Sequence, residues 1–437
     1  MEGLLYVFLA IFVSYLCFLL YVKQQSPFWF HQPVYHMYLI YPKTFGLWSK
    51  PYIIKRIPQI KPNLFSDFYH VKTLAYSDLT AAQKTSLVAF LQGHYLDSEA
   101  FLYDISERTV DTWLSGQKYQ SFVSFYYEEK TEEERKDKLF SLKTSFRSDP
   151  ISCMTTNQQY VWFPQWTHNQ QWTHDNETYQ ALYFPIYVWD FNCTHRDHKM
   201  SHISRNVIQT HLYNQYQQSS TVEPCIFKKE VTKCVGMVPL VEYETYTFFI
   251  QKTPISKLPI GYKIKRIEAR TINAWVELYT QLPQLQSYFD ICLMPALNNT
   301  LECIKQETHY VILLICTLGG RETVKGLYIF KDMYTVWDQP DTKLQQKRTI
   351  QCVSSVCYDM SETLYFFRGF VHSIKELYYQ KKGYGVLTIE HNSHNNLILQ
   401  RWNEKYPLHM STPTTYYLYN MVYPKSPVSS SRFFTFG

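Results

Sequence analysis

Phe191-Asn192-Cys193-Thr194-His195-Arg196-Asp197-His198-Lys199-Met200-Ser201-His202-Ile203-Ser204-Arg205-Asn206-Val207-Ile208 is an apolar run that turns through a short polar loop into a segment with one apolar face. Ile203, Val207 and Ile208 fall at i, i+4, i+5, the spacing of a helix. Upstream, Tyr183, Phe184, Ile186, Val188 and Phe191 read as a buried strand, so the stretch is strand, loop and helix start. The first backbone N–H groups of a helix lack intrahelical partners and carry the positive end of its dipole, so a loop ending there holds a phosphate or a developing oxyanion. There are no Walker glycines, which excludes a nucleotide P-loop. His195, His198 and His202 stand at i, i+3, i+7, a zinc-compatible spacing on one helix face. Because they span a loop before the helix, that face is not expected to form and no metal is assigned.

The order Phe-x-Cys-x-His, a polar tetrapeptide and an apolar helix resembles the acyl-CoA loop of the N-myristoyltransferases. Three further segments agree in the same order. Phe28-Trp29-Phe30-His31-Gln32-Pro33-Val34 is similar to that family's N-terminal F-W-x-x-Q-P-V, and Tyr95-Leu96-Asp97-Ser98-Glu99-Ala100-Phe101-Leu102-Tyr103 to its Y-V-acidic-loop-F-x-F. Tyr416-Tyr417-Leu418-Tyr419-Asn420 matches its Y-Y-L-Y-N, and the tail from there to Gly437 has about the family's length. The resemblance spans residues 28 to 437. It implies an α/β (α+β) chain of two tandem GNAT-like domains, the first holding acyl-CoA and the second much of a peptide groove.

It also implies roles for residues. Two successive backbone amides, on Phe191 and Asn192, would form the oxyanion hole, and Gly437 would supply its terminal carboxylate as proton acceptor for the amine. Without the resemblance, Phe191 and Asn192 would read as an ordinary strand end, and the tail as a frayed terminus. Acyl-CoA would lie against Phe28, Trp29 and Lys199, Met200, Ser201, His202, Ile203, Ser204. Where the family carries a basic R-S-K-R, this chain has Lys199-Met200-Ser201-His202, with one certain cation. Tyr95, Asp97, Glu99, Phe101 and Tyr103 fall where the family contacts its peptide. By residue type alone, the aromatics read as core and Asp97-Ser98-Glu99 as a solvated turn. Other departures are Asp190 in place of an asparagine before the oxyanion hole, Lys228-Lys229-Glu230 in place of a Y-T-A-G segment, and the loss of a glycine-rich loop before Tyr416.

Gly3 to Val22 is apolar and uncharged, long enough to cross a bilayer. Glu2 before it and bulky Tyr21, Val22, Lys23 after it argue against a cleaved signal. Lys23, Lys43, Lys50, Lys55 and Arg56 follow it, which places the large domain in the cytoplasm. Residues 23–65 then read as a linker or clasp, 66–253 as the N-terminal acyl-CoA domain and 260–437 as the C-terminal peptide-binding domain, with the boundary in the proline-marked stretch Gln251 to Leu258.

At 437 residues the chain accommodates two domains, and its 46% hydrophobic content supplies their cores. The net charge of +6 is spread along the sequence without a basic, aromatic strip, which excludes a nucleic-acid surface. Ten cysteines without a C-x-x-C pair, several in apolar runs, read as reduced buried thiols.

Local signals are clear at several points. Thr80-Ala-Ala-Gln83 is a capping box and Ser106 a helix cap. Ile151 to Met154 and Tyr160 to Phe163 read as two strands, Glu128 to Lys138 as a solvated charge run, and Tyr310 to Phe330 as a hairpin turning at Gly319-Gly320. A helix runs from Ser361 to about Tyr379, then a strand at Gly385 to Ile389 and a helix near Asn396 to Trp402.

Together these readings predict a membrane-anchored acyltransferase that moves a fatty acyl group from myristoyl-CoA, a co-substrate with no cofactor permanently bound, to the N-terminal glycine amine of a peptide. The chain itself starts Met-Glu-Gly and is not expected to be its own substrate. The alternatives are a protein of this fold that binds acyl-CoA or lipidated peptides without turnover, and a membrane-resident interaction scaffold.

Overall fold

The computed structural model describes residues 2–39, 52–56, 61–96, 101–128, 149–163, 172–174, 177–179, 183–198, 201–219, 224–250, 257–281, 288–337, 347–379 and 383–437. Fifteen strands form one sheet: β1 (Val71–Ala75), β2 (Phe101–Tyr103), β3 (Phe122–Tyr126), β4 (Ser152–Trp162), β5 (Tyr183–Thr194), β6 (Cys225–Glu230), β7 (Val241–Phe249), β8 (Tyr262–Ile267), β9 (Ile291–Met294), β10 (His309–Leu318), β11 (Arg321–Trp337), β12 (Arg348–Cys357), β13 (Tyr384–Glu390), β14 (Met410–Tyr419) and β15 (Phe433–Thr435). Their order is β8-β10-β11-β12-β13-β7-β14-β6-β5-β4-β9-β15, while β1 pairs β3, β3 pairs β4 and β2 pairs β11. The helices are α1 (Glu2–Gln25), α2 (Ala81–His94), α3 (Glu107–Leu114), α4 (Ser201–Gln218), α5 (Asn273–Gln281), α6 (Leu297–Lys305), α7 (Thr363–Tyr379) and α8 (Asn395–Trp402).

The two halves of the sheet are a repeated unit. In the first, β1, β3, β4 and β5 are antiparallel, and α4 then crosses over to β6, which lies parallel to β5. In the second, β8, β10, β11 and β12 are antiparallel, and α7 crosses over to β13, parallel to β12. A parallel neighbour requires such a helical return. The next strand of each half leaves it: β7 pairs with β13 of the second half, and β14 with β6 of the first. The exchanged strands pair with each other and make the sheet continuous.

Local chemistry sets the elements. Thr80 and Gln83 form the capping box of α2, and the Ser106 side chain accepts from Thr109 N–H at the start of α3. Gly319 and Gly320, at φ 57 and 79, supply the two left-handed residues of the tight turn between β10 and β11. Helix α7 starts at Thr363 after a 3₁₀ turn over Met360–Glu362. Nine cysteines are buried thiols outside any disulfide, while Cys17 is exposed on α1.

The two short strands expected around 151–163 are one strand of 11 residues, β4. The polar Thr155 to Gln159 that separates the apolar ends is buried in mid-sheet. Its centre is tied to α4: the Thr156 hydroxyl bonds His211 Nε2 at 3.0 Å and donates to Gln215 Oε1 at 2.9 Å, both on α4, while Asn157 Oδ1, Gln158 Oε1 and Gln159 Oε1 are buried without a partner among the described residues. Ser124 holds the other His211 nitrogen at 2.8 Å, and burial pushes this imidazole down to about 3, so it is neutral. A polar run in sequence is thus a core strand because its partners come from a helix some 55 residues on.

Helix α1 is apolar along a 23-residue span and exposed, long enough to cross a membrane. Only its last turns meet the rest of the protein. Val22 is 1% exposed and packs on Gly236, whose φ of 83 and missing side chain make room for it. A methyl on Gly236 would lie 2.3 Å from Val22 Cγ1. Gly236→Ala is therefore expected to undock the helix end: the left-handed backbone alone costs a side chain about 1–2 kcal/mol, close to tenfold. Trypsin cleavage after Lys23 in the full-length protein in detergent should speed up by at least that factor; an unchanged rate would mean that Val22 does not fix the helix.

Candidate functional site: the opening between two parallel strands

Strands β5 and β6 pair only at Tyr187 to Trp189 against Cys225 to Phe227, and then part. At that point β5 bulges: Asp190 opposes Thr155 and Cys193 opposes Cys153, so Phe191 and Asn192 drop out of the ladder opposite Met154. Phe191 adopts φ 48, rare for an aromatic residue and affordable because its ring is held from two sides. Trp113 stacks on it at 5.6 Å and Tyr95 meets it edge-on at 5.2 Å. The Phe191 N–H, expected as an oxyanion donor, is taken by Asp190 Oδ1 at 2.8 Å. The Asn192 side chain is exposed and donates to Ser204 Oγ at 3.2 Å, tying the bulge to the first turn of α4.

Of the expected phosphate loop, Lys199 and Met200 lie outside the described residues, as does the Ser201 side chain. His202 is exposed on the first turn of α4 and Ile203 is buried beneath it. His195 packs against His94 at 4.0 Å and His198 at 5.5 Å, away from a shared face with His202. Among the described residues no group of three His, Cys, Asp or Glu side chains has a metal-holding arrangement.

Two of the motifs, 387 residues apart, meet beside the opening. Tyr419 OH donates to Gln32 Oε1 at 2.8 Å, Val34 bridges Tyr419, and Asn420 N–H donates to the Pro33 carbonyl. Farther along the same stretch, Tyr52 and Ile53 pair with Val422 and Met421. Phe28 is buried, and Trp29 stacks on Phe227 at 5.1 Å, which stacks on Trp189 at 4.8 Å. This aromatic tier stands where β5 and β6 separate.

The tail is docked. Strand β15 pairs in parallel with β9, and Phe433, Phe434 and Phe436 are fully buried. Phe436 stacks on His309 at 4.8 Å. Gly437 has φ 110, and a methyl added there would lie 3.3 Å from His309 Nε2 and 3.4 Å from Lys331 Cδ. Lys331 Nζ in turn sits 4.9 Å from the centre of the Trp113 ring, the ring that stacks on Phe191. The chain end and the β5 bulge thus share one neighbourhood.

Of the expected peptide contacts, Asp97 and Glu99 lie outside the described residues. Tyr95 and Tyr103 pack on each other at 4.9 Å in the core beside Phe191, and burial pushes both phenols well above their ordinary range. Phe101, two residues before Tyr103 on β2, meets Trp337 edge-on at 4.5 Å.

Sequence reasoning missed the charges of this site. Lys228 bridges Glu390 at 2.7 Å and Glu230 at 2.9 Å, and Tyr243 OH donates to Glu390 at 2.6 Å. Lys331 and His309 were missed as well. A charged Lys331-Asp332 interrupting the apolar run Leu327 to Phe330 was the one available signal.

No protein-family profile and no curated protein matches the sequence. Among solved structures, N-myristoyltransferase of Saccharomyces cerevisiae with bound myristoyl-CoA superposes with a TM-score of 0.61 at 11% identity, over 92% of this chain and 94% of that one. A second structure of the yeast enzyme, with myristoyl-CoA and inhibitors, gives 0.62 at 10% identity, over 92% and 91%. This chain has the N-myristoyltransferase fold. At this identity the likeness is one of backbone path, as expected where a sheet and its crossovers tolerate wholesale replacement of apolar side chains.

Proposed function

We propose that this protein is an acyltransferase that moves a fatty acyl group from acyl-CoA to the N-terminal glycine amine of a peptide. The observation that carries this reading is the docked tail, which puts Gly437 in the same neighbourhood as the parted strands β5 and β6. In this reading the thioester lies in the opening under the Trp29, Phe227 and Trp189 tier. The backbone amides of Phe191 and Asn192 receive the carbonyl oxygen, the start of α4 receives CoA phosphate, and the Gly437 carboxylate draws the proton from the amine. Myristoyl-CoA is the proposed donor because the yeast enzyme of this fold binds it. The contact of Val22 with Gly236 supports α1 as a retained anchor, with the site on the cytoplasmic side.

One observation favours a second reading, a binding protein without turnover: the Phe191 N–H is occupied by Asp190. The deciding experiment incubates the full-length protein in detergent with myristoyl-CoA and a glycine-starting peptide, and follows product by mass. The expected product is heavier by one acyl group and absent for the N-acetylated peptide. Acyl-CoA binding without product would establish the second reading.

A further inference from the structure

Several buried polar atoms around the β5 bulge have no partner among the described residues. Trp113 Nε1 and His309 Nε2 carry no hydrogen bond, although Trp113 is 8% exposed and His309 3%. Asp190, half-buried beside them, spends Oδ1 on the Phe191 N–H, and no hydrogen bond to its Oδ2 is found among the described residues. Lys331 Nζ lies over Trp113 and has no carboxylate within 4 Å. An orphaned buried polar group is costly, and a protein rarely tolerates several in one place without a ligand to pair them. A carboxylate and an ammonium that face each other without pairing leave a gap for a third charge.

We propose that Asp190 is a second carboxylate of the acceptor site, which binds the ammonium of the incoming peptide and relays its proton to the Gly437 carboxylate, and that Lys331 is a resident cation displaced by that ammonium. This rests on the acyl-transfer reading of the same site. Lys331 holds the place while the site is empty and favours the ionised form of Asp190. The arriving ammonium passes one proton to Asp190 Oδ2, and its lone pair attacks the thioester carbon. The C–N bond forms and the C–S bond breaks; the second proton of the nitrogen leaves with the CoA sulfur, and Asp190 hands its own to the Gly437 carboxylate, which releases it to solvent. A protonated Asp190 is a weaker acceptor for the Phe191 N–H. The arrival of the amine therefore releases that donor for the oxyanion at the moment it is needed. Trp113 Nε1 and displaced Lys331 are donors on hand for the peptide's first carbonyl, an acceptor that a lysine side chain lacks beside its amine.

The groups facing Asp190 are Lys331 on β11, Lys228 and Glu230 on β6, Tyr95 after α2 and Tyr103 on β2, with Gly437 beyond Lys331. Burial raises the Asp190 carboxyl above its ordinary value, and Lys331 is the strongest of the neighbours that pull it back. As a proton acceptor it must be ionised, so transfer falls at low pH through its value.

The test compares full-length wild type, Asp190→Asn and Lys331→Met. Each is loaded with a non-transferable thioether analogue of acyl-CoA and titrated with a glycine-starting peptide or its N-acetylated form. Asparagine keeps an acceptor for the Phe191 N–H, so the bulge is retained. Asp190→Asn is expected to weaken the free-amine peptide at least tenfold and leave the acetylated one unchanged; in turnover its low-pH limb moves down. Lys331→Met is expected to tighten the free-amine peptide severalfold and move the limb up. Unchanged discrimination and limb in Asp190→Asn, or an unmoved limb in Lys331→Met, overturns the proposal, and the second variant decides if the first fails to fold. A wild type that prefers the free amine yet transfers nothing would sink the acyl-transfer reading while leaving Asp190 as an amine-binding residue.

Discussion

Phe434→Ala is expected to cost about 3–5 kcal/mol of folding stability, the range for emptying a fully buried aromatic site. Phe434 is fully buried in β15, pairs with Cys292 of β9, and stacks on Phe289 at 5.3 Å. No neighbour is free to collapse into the void, because Phe289 is itself buried and packed against His394 at 5.1 Å. Chemical denaturation should show the midpoint falling with an unchanged slope. Extending the chain past Gly437 by two alanines is the contrasting variant. It leaves Phe433 to Phe436 in place but moves the carboxylate, so stability should change little while transfer falls by at least a hundredfold. A tail that serves packing alone would make both variants active in proportion to their folded fraction.

Lys228→Met is expected to destabilise by about 3 kcal/mol, the low end for removing one partner of a buried ion pair, because a quarter of the Lys228 side chain still meets solvent. The loss arises at Glu390, 2% exposed, which is left with Tyr243 and Asn392 as its only strong donors. The variant Lys228→Met with Glu390→Gln should recover part of the loss, since no uncompensated charge remains.

The pH dependence has a definite sign. Burial pulls the Lys228 ammonium down, but Glu230 and Glu390 outweigh it and hold it well above its ordinary value. That contribution is complete below about pH 10 and is lost only as pH rises through the raised value. Lys228 holds the Glu230 carboxyl below its ordinary value against the opposing effect of burial. That contribution is present above about pH 4 and fades as pH falls through the lowered value. The gap in melting temperature between wild type and Lys228→Met should stay constant from about pH 6 to 9 and narrow below about pH 4. A gap that is flat into acid would mean that lost packing, not charge, sets the effect.

Lys228 also marks where reading the sequence stops. Its segment departs from the resembling family, and the substitution gains meaning only from Glu390, a residue 162 positions away that the fold brings to 2.7 Å. The Phe191 amide is a similar case. The strand, the loop and α4 are legible because apolar periodicity is local, but the Asp190 contact depends on a bulge set by how β5 pairs with β4. β4 itself was split in two, since Thr155 to Gln159 looks like a loop until α4 covers it.

The sequence by itself determined the apolar α1, the caps of α2 and α3, the Gly319-Gly320 turn, and the passage from β5 through a polar loop into α4. All of these follow from interactions within one or two turns or from periodicity along one element, which a linear reading contains. Only the tertiary structure decided that β7 and β14 are exchanged between halves, that the tail is buried, and that Asp190, Lys331, Trp113 and His309 surround one site. Buried charges and orphaned polar atoms take their energies from neighbours far away in the chain, so their identity in sequence carries no sign of whether they are paired.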